Sequence, residues 1–389
     1  MKTQHQSGAF TLVEVLVAAG IVVVIMAVLL GMTDQTQRLV RATSSKIEQF
    51  QEARVAFESM TRRLSQATLN TFWDYQYNAN GQPTGYQRTA ELRFRSGAMK
   101  TLNPTGGPGG NIQPGHGVFF QAPIGMVDDT TNLGGLDHLM NTWGYFLEIG
   151  SDADKFPTFL QKVVSPRQRY RLMEYMEPSE KLSVYRFQND PINRNWYTQT
   201  ISNTNRPVRV LAENIVALVI MPRLSLADER HINESKGVSS TTAVPLPPSN
   251  TPSYSYDSMK DLTTDPVWKS LTPLEQALLN PLSQLPPVVQ VVMVAIDEPS
   301  ARRLEDLYGP TSKKPDPYLG ISTNPDPVSG KALFTDPKSL NDANGGIGDI
   351  TRLQNLLSSS SKPNIRASYR VFSSNVIIKG AKWSMHTGN

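Results

Sequence analysis

The sequence predicts an α+β protein. A long N-terminal helix, transmembrane in its first half and amphipathic in its second, packs on a mostly antiparallel β-sheet head with long loop insertions. Three observations carry this. Residues 10–32 form an apolar run with a single charge, Glu14. Apolar residues then recur at helical spacing as far as Ala67. Beyond Asn70 the pattern turns to short apolar runs and period-two alternation between Pro- and Gly-rich stretches.

The first element has the length of a membrane span. As a helix, residues 10–32 would cover roughly 35 Å, enough for a hydrocarbon core of about 30 Å. The run is longer than the usual signal-peptide core, and no A-x-A site comes after it, which argues against a cleaved secretory signal. Lys2 precedes it, whereas Arg38, Arg41 and Lys46 come later, so loop charge leaves the orientation open. Glu14 is costly in such a segment: a charge at a helix centre costs about 2.5–3.5 kcal/mol on insertion scales. A carboxylate kept there needs a partner.

The second half of the helix shows Phe50, Ala53, Phe57, Met60, Leu64 and Ala67 at alternating spacings of three and four. Glu48, Glu52, Glu58 and Arg62 lie mostly off that stripe. This is the pattern of an amphipathic helix. One helix over residues 10–69, uninterrupted by proline, would be about 90 Å long, and its stripe is expected to pack on the protein's own sheet. A coiled coil with a partner is the lesser alternative.

In the head, residues 70–389, the predicted strands are 91–95, 117–121, 143–149, 182–187, 214–221, 288–296 and 369–378. Insertions are expected near 101–116, 234–266 and 309–349. The apolar "ENIVALVIMP" is too short to cross a membrane and reads as a buried strand.

Composition narrows function. The 389 residues carry a net charge of +4, with Lys and Arg scattered, so no basic stripe points to nucleic acid. With no cysteine, disulfides, thiolate metal sites and Cys nucleophiles are all excluded. His5, His116, His138, His231 and His386 are dispersed, and no HExxH, GxSxG, Walker or GxGxxG pattern occurs. No catalytic residues and no cofactor are expected, and the chain does not read as an enzyme.

The N-terminal stretch "GAFTLVEVLVAAGIVVVIMAVL" resembles the type IV prepilin processing and methylation segment. The resemblance implies a leader, residues 1–9, removed by a prepilin peptidase, and N-methylation of the new first residue, Phe10. Glu14 is then the fifth residue of the mature chain. Ala9 stands where the family has Gly, and Gly8 comes one step early. Cutting after Gly8 would push Glu14 out of register, which favours the Ala9–Phe10 bond. The resemblance further implies that Glu14 meets the N-terminal amine of a neighbouring subunit, so that two charges costly alone in lipid become a pair on assembly.

Segments of the head, "ARVAFESMTRRLSQATLNTFWDY", "ELRFRSG", "LAENIVALVIMP", "MVAIDEPSARRL" and "GAKWS", are similar to the family called Verru_Chthon cassette protein C. Its members have heads broadly like the J-type minor pseudopilins of type II secretion. This similarity implies a minor structural subunit of a type II secretion or type IV pilus-like filament. Its partners would be the peptidase and other prepilin-like subunits. It would sit in the inner membrane with a cytoplasmic N-terminus and periplasmic head before assembly. The size of the head, about 320 residues on one stem, then places it at a filament end. The alternative is a membrane-anchored adhesin or carbohydrate-binding protein using the same export segment.

Three acidic groups could hold calcium: Asp128 with Asp129, Asp152 with Asp154, and Asp342, Asn344 and Asp349 in "NDANGGIGD". None matches an EF-hand or GGxGxD repeat, and all are expected to be turns. "WDYQY", Trp73 to Tyr77, with nearby Tyr86, could form a carbohydrate platform, but sealing the helix–sheet junction is the expected role. Asp297 and Glu298, beside Arg302 and Arg303, read as a strand end entering a capped helix.

Overall fold

The computed structural model describes residues 11–136, 138–152, 157, 159, 163–185, 196–238, 244, 246–248, 253–308, 333–340, 347–358 and 366–381. The chain divides into two compact units, Met1–Gln51 and Glu52–Asn389.

In the first unit the described chain is helical. Helix α1 runs Leu12–Leu64, so it begins here and ends in the second unit. Its stretch Leu12–Gln37 is long and apolar enough to cross a membrane, and none of it is buried within the protein.

The second unit opens with the last turns of α1. Ala53, Phe57, Met60 and Leu64 are buried, as their spacing predicts. Arg62 and Arg63 occupy the last turn, where positive charge complements the helix dipole. The helix stops at Leu64, short of the expected residue 69. There the Gln66 and Ala67 N–H groups take the tighter carbonyls of Arg63 and Leu64, at 3.0 and 3.1 Å. Thr68 N–H then donates to the Gln121 carbonyl at 2.9 Å, so the sheet captures the chain.

Next come β1 (Thr71–Tyr77), β2 (Pro83–Ala90), β3 (Arg95–Ala98), α2 (Met99–Leu102), β4 (His116–Pro123), β5 (Met140–Ser151) and β6 (Gln168–Glu177). They are followed by α3 (Trp196–Ile201), β7 (Val208–Glu213), β8 (Ile215–Arg223), α4 (Leu226–Ser235), β9 (Tyr256–Asp257), α5 (Pro266–Lys269) and α6 (Pro273–Leu279). The last are β10 (Val288–Ile296), α7 (Glu298–Tyr308), α8 (Asp349–Ser358) and β11 (Tyr369–Ile377). Three sheets result, ordered β1-β2, β11-β10-β8 and β7-β6-β5-β4-β3-β9. Every described pairing is antiparallel. The protein is therefore α+β, with an apolar N-terminal helix and antiparallel sheets.

Two faces of the three-stranded sheet explain its apolar strands. On one, Val219, Val292 and Val294 join Leu304 of α7 and Leu353 and Leu357 of α8 in a buried cluster. On the other, the register aligns Leu218, Met293 and Phe372, and the Phe372 ring lies 5.8 Å from that of Phe57 on α1. In the large sheet, Phe119 of β4 stacks on Tyr197 of α3 with centroids 3.7 Å apart. Gly144 on β5 makes room for it, since a Cβ there would lie 2.4 Å from the Phe119 ring.

Five predicted strands correspond to β4, β5, β8, β10 and β11. Two are corrected. Residues 91–94 form no ladder. Arg93 N–H goes instead to the Gln121 side chain at 2.8 Å, and Phe94 N–H to the Ser258 hydroxyl at 2.9 Å. Strand β3 starts only at Arg95. The strand expected at 182–187 is replaced by 3₁₀ turns at Ser179–Lys181 and Ser183–Tyr185. The Glu177 carboxylate accepts from Ser183 N–H at 3.0 Å and from its hydroxyl, curling the chain. Residues 186–187 lie outside the described residues.

The expected insertion at 101–116 folds around one buried carboxylate. Glu148 accepts from Arg206 at 2.7 and 2.6 Å, from Asn111 at 3.0 Å and from Gln113 at 3.2 Å. Of the other two insertions, 309–332 and 341–346 lie outside the described residues, as does part of 234–266.

Candidate functional site

The sequence places its functional residues at the start of the helix. Gly8, Ala9 and Phe10 lie outside the described residues; Thr11 and Glu14 do not. Glu14 Oε2 accepts from Thr11 N–H and from its hydroxyl, each at 2.9 Å. In return, Glu14 N–H donates to Thr11 Oγ1 at 3.3 Å. This is a capping box, with the geometry found at Thr272 and Glu275 before α6. The T-x-x-E signature of such a box stands in the sequence at Thr11–Glu14. Within one chain, then, the carboxylate satisfies donors that a helix N-terminus leaves open. Glu14 is exposed, as is the apolar surface after it, including Leu16, Val17 and Ile21.

Those calcium candidates that fall among the described residues have partners within the protein. Asp129 caps its own turn, accepting from Thr131 and Asn132 N–H at 3.1 Å, and Asp128 pairs with Lys181 at 2.5 Å. Asp152 accepts from Arg167 N–H at 2.6 Å and Arg169 at 3.4 Å, while Asp154 lies outside the described residues. Asp342 and Asn344 lie outside them too. Asp349 is buried at the start of α8, accepting from Phe334 N–H at 2.9 Å and Ser339 Oγ at 2.5 Å. Among the described residues, no three His, Cys, Asp or Glu side chains gather as a metal site.

Asp297 and Glu298 behave as expected of a strand end and helix start. Asp297 accepts from Ser300 N–H at 3.0 Å, and Glu298 forks onto Arg169 at 2.8 Å while accepting Arg302 at 3.0 Å. His116 is buried on β4. Its Nδ1 accepts from Ile220 N–H at 3.1 Å, so Nε2 carries the hydrogen toward the Phe334 carbonyl at 3.0 Å. Burial pushes its pKa down to about 4, which keeps the ring neutral.

The aromatic cluster overturns its expectation. Trp73, Tyr75, Tyr77 and Tyr86 do not seal the helix–sheet junction. They lie on a two-stranded ribbon, β1 and β2, with Trp73 62% and Tyr86 65% exposed. Asn78 sets the turn, its side-chain oxygen accepting from Asn80 and Gln82 N–H at 3.0 and 2.9 Å. The register then sets Tyr75 opposite Tyr86 and Trp73 opposite Arg88, eleven and fifteen residues apart in sequence. Spacing alone carries no signal for that.

No family model, no curated protein and no solved structure matches the chain.

Proposed function

We propose that the chain is a minor prepilin-like structural subunit of a type II secretion or type IV pilus-like filament. A prepilin peptidase cuts the Ala9–Phe10 bond, and Phe10 is methylated. The helix holds the protein in the inner membrane, N-terminus cytoplasmic and head periplasmic, until it joins other prepilin-like subunits. One observation carries the reading. A single 53-residue helix begins as an exposed apolar span with Glu14 in its first turn and ends buried against an antiparallel sheet. A signal anchor accounts for the span and the capping box for Glu14 within one chain; the filament reading adds a neighbouring subunit's amine as partner for the charge.

Mass spectrometry of the membrane-extracted protein tests this. The expected mature chain starts at N-methylated Phe10. A start at Ala9 keeps the class and moves the cleavage bond. An intact Met1 in cells with an active prepilin peptidase removes the proposal.

A second reading, a membrane-anchored carbohydrate-binding protein or adhesin, draws on the exposed aromatic ribbon. It is compatible with filament assembly.

A further inference from the structure

Arg88 joins two features that the filament reading leaves unused: the aromatic face of the β1–β2 ribbon and a polar cavity at its base. Strand register defines the face. Trp73 lies directly opposite Arg88, and Tyr75 opposite Tyr86, and directly opposed residues stand side by side on one face of a ribbon. The Tyr75 and Tyr86 rings are 4.8 Å apart, and the Arg88 guanidinium lies 5.7 Å from the centre of the Trp73 ring. Asp74 falls on the opposite face, across from Gln87. The face is a row of flat, exposed rings ending in a cation.

The cavity holds about 170 Å³ and is lined in part by Thr68, Asn70, Thr71, Arg88, Ser283 and Gln284. Arg88 is the one charged residue in its lining among the described residues. The nearby acid Glu91 accepts from Asn70 at 2.9 Å. Arg88 Nε is buried and has no hydrogen-bond partner. Desolvation lowers the guanidinium pKa from its ordinary value, as expected of a cation drawn from water without a carboxylate beside it. Leaving a buried donor of a charged group unpaired is costly, and an anion in the cavity would give Nε a partner.

We propose that this face binds an acidic carbohydrate, with sugar rings stacked on Trp73, Tyr75 and Tyr86 and a uronate carboxylate held by Arg88. The chemistry selects this ligand class. Pyranose rings offer flat C–H faces to aromatic rings and hydroxyls to Thr71, Ser283 and Gln284. A carboxylate matches the planar guanidinium fork in two hydrogen bonds. A neutral polymer leaves Arg88 unpaired. A nucleic acid would call for several cations along its backbone, and this face has one.

The test is calorimetric titration of the detergent-solubilised full chain with hexagalacturonate and with its fully methyl-esterified form, which keeps the rings and removes the charge. Saturable binding of the acid is expected, weakened at least tenfold by esterification, by Arg88→Gln and by Trp73→Ala. In the Arg88→Gln chain the acid and the ester should bind alike. Trp73 is exposed and Arg88 half-buried, so both variants should melt close to wild type. If Arg88→Gln does not, Arg88→Lys replaces it, with weaker binding but a retained preference for the acid. Absence of saturable binding overturns the proposal, as do equal affinities of wild type for acid and ester, or an acid preference surviving in Arg88→Gln. Capture of a proline-rich peptide by this face, with no sugar bound, overturns it as well.

Discussion

Glu174, fully buried on β6, pairs its carboxylate with the guanidinium of Arg63 on the last turn of α1. The same carboxylate accepts from the Tyr145 hydroxyl at 3.0 Å and from Arg209, while the Arg63 guanidinium lies 4.3 Å from the centre of the Trp143 ring. Removing one partner of a buried pair costs about 3–5 kcal/mol, because the other is left uncompensated. The two partners are not equivalent here. Glu174→Gln leaves the mostly buried Arg63 without its charge partner and takes an acceptor from the exposed Arg209, whereas Arg63→Met leaves Glu174 still paired with Arg209.

Glu174→Gln should therefore cost roughly 3 kcal/mol and Arg63→Met about half that, with the double variant clearly less than additive. Thermal melts of the detergent-solubilised chain measure this. Strict additivity would show that the pair does not hold the helix end to the sheet, and equal single costs would show that Arg209 does not share the carboxylate.

Thr11 and Glu14 allow the cap and the assembly role of the acid to be separated. Gln can complete a capping box, so Glu14→Gln keeps the cap and removes the charge. Thr11→Val does the reverse. Under the filament proposal, Glu14→Gln should insert and be processed but lose co-purification with other prepilin-like subunits, and Thr11→Val should retain it. Loss in Thr11→Val with retention in Glu14→Gln would make Glu14 a cap and nothing more.

His116 makes stability depend on pH. Its pKa is about 4 in the fold against an ordinary 6.5, so the unfolded chain binds the extra proton between these values. This contribution is present in full above pH 6.5 and is lost as pH falls toward 4. By pH 5 the loss should reach about 2 kcal/mol. Asp257 and Glu298, whose Arg partners hold their pKa values below the usual carboxylate range, lose their contributions only at lower pH. Melting temperature should thus fall between about pH 7 and 5 in wild type and stay nearly level in His116→Gln. A wild-type curve already level over that interval would mean that His116 is not held neutral by burial.

The features legible in the sequence are those that obey a period. The stripe from Ala53 to Leu64 and the runs that form β8 and β10 show helical spacing or continuous burial, and both survive folding. Strand β6 does not show because its buried positions include Arg171 and Glu174. Partners far away in the chain make such residues tolerable inside, so a core strand reads as a polar one. The 182–187 stretch alternates like a strand, but Glu177 captures its backbone first. At the helix start, Glu14 is legible as an anomaly, while its capping partner Thr11 is hidden by the apolar run around it. The Arg88 cavity is further from reach, because it depends on the Asn78 turn and on Gly380, which are far apart in sequence.

Gly144 tests the packing of the large sheet. A Cβ at this position would lie 2.4 Å from the Phe119 ring and 3.3 Å from Tyr175 Cβ, and Phe119 is itself held flat against Tyr197. Gly144→Ala should cost about 1–3 kcal/mol, as overpacking of a filled core does. A combined Phe119→Leu change should recover part of that loss. A Gly144→Ala chain that melts with wild type would show that the ring has room to move.

The place of the subunit in a filament rests on the proposed function, on size and on Glu14. Residues 70–389 make a head of about 320 residues, and a compact body of that length has a radius of gyration of about 20 Å. Helices in a bundle pack about 8–10 Å apart. Heads that broad, each on one stem, would collide in a densely repeating homopolymer, so the chain should be a low-copy subunit at or near a filament end. A subunit at the extreme tip would have no neighbour ahead to offer an amine, so under the proposed pairing of Glu14 another subunit precedes this one. Val17, exposed on the apolar span, is a suitable crosslinking position. A photoreactive residue there should give hetero-crosslinks to other prepilin-like proteins in intact membranes, and Glu14→Gln should abolish them. A ladder of self-crosslinks, or filaments built mainly of this chain, would place it among the repeating subunits instead.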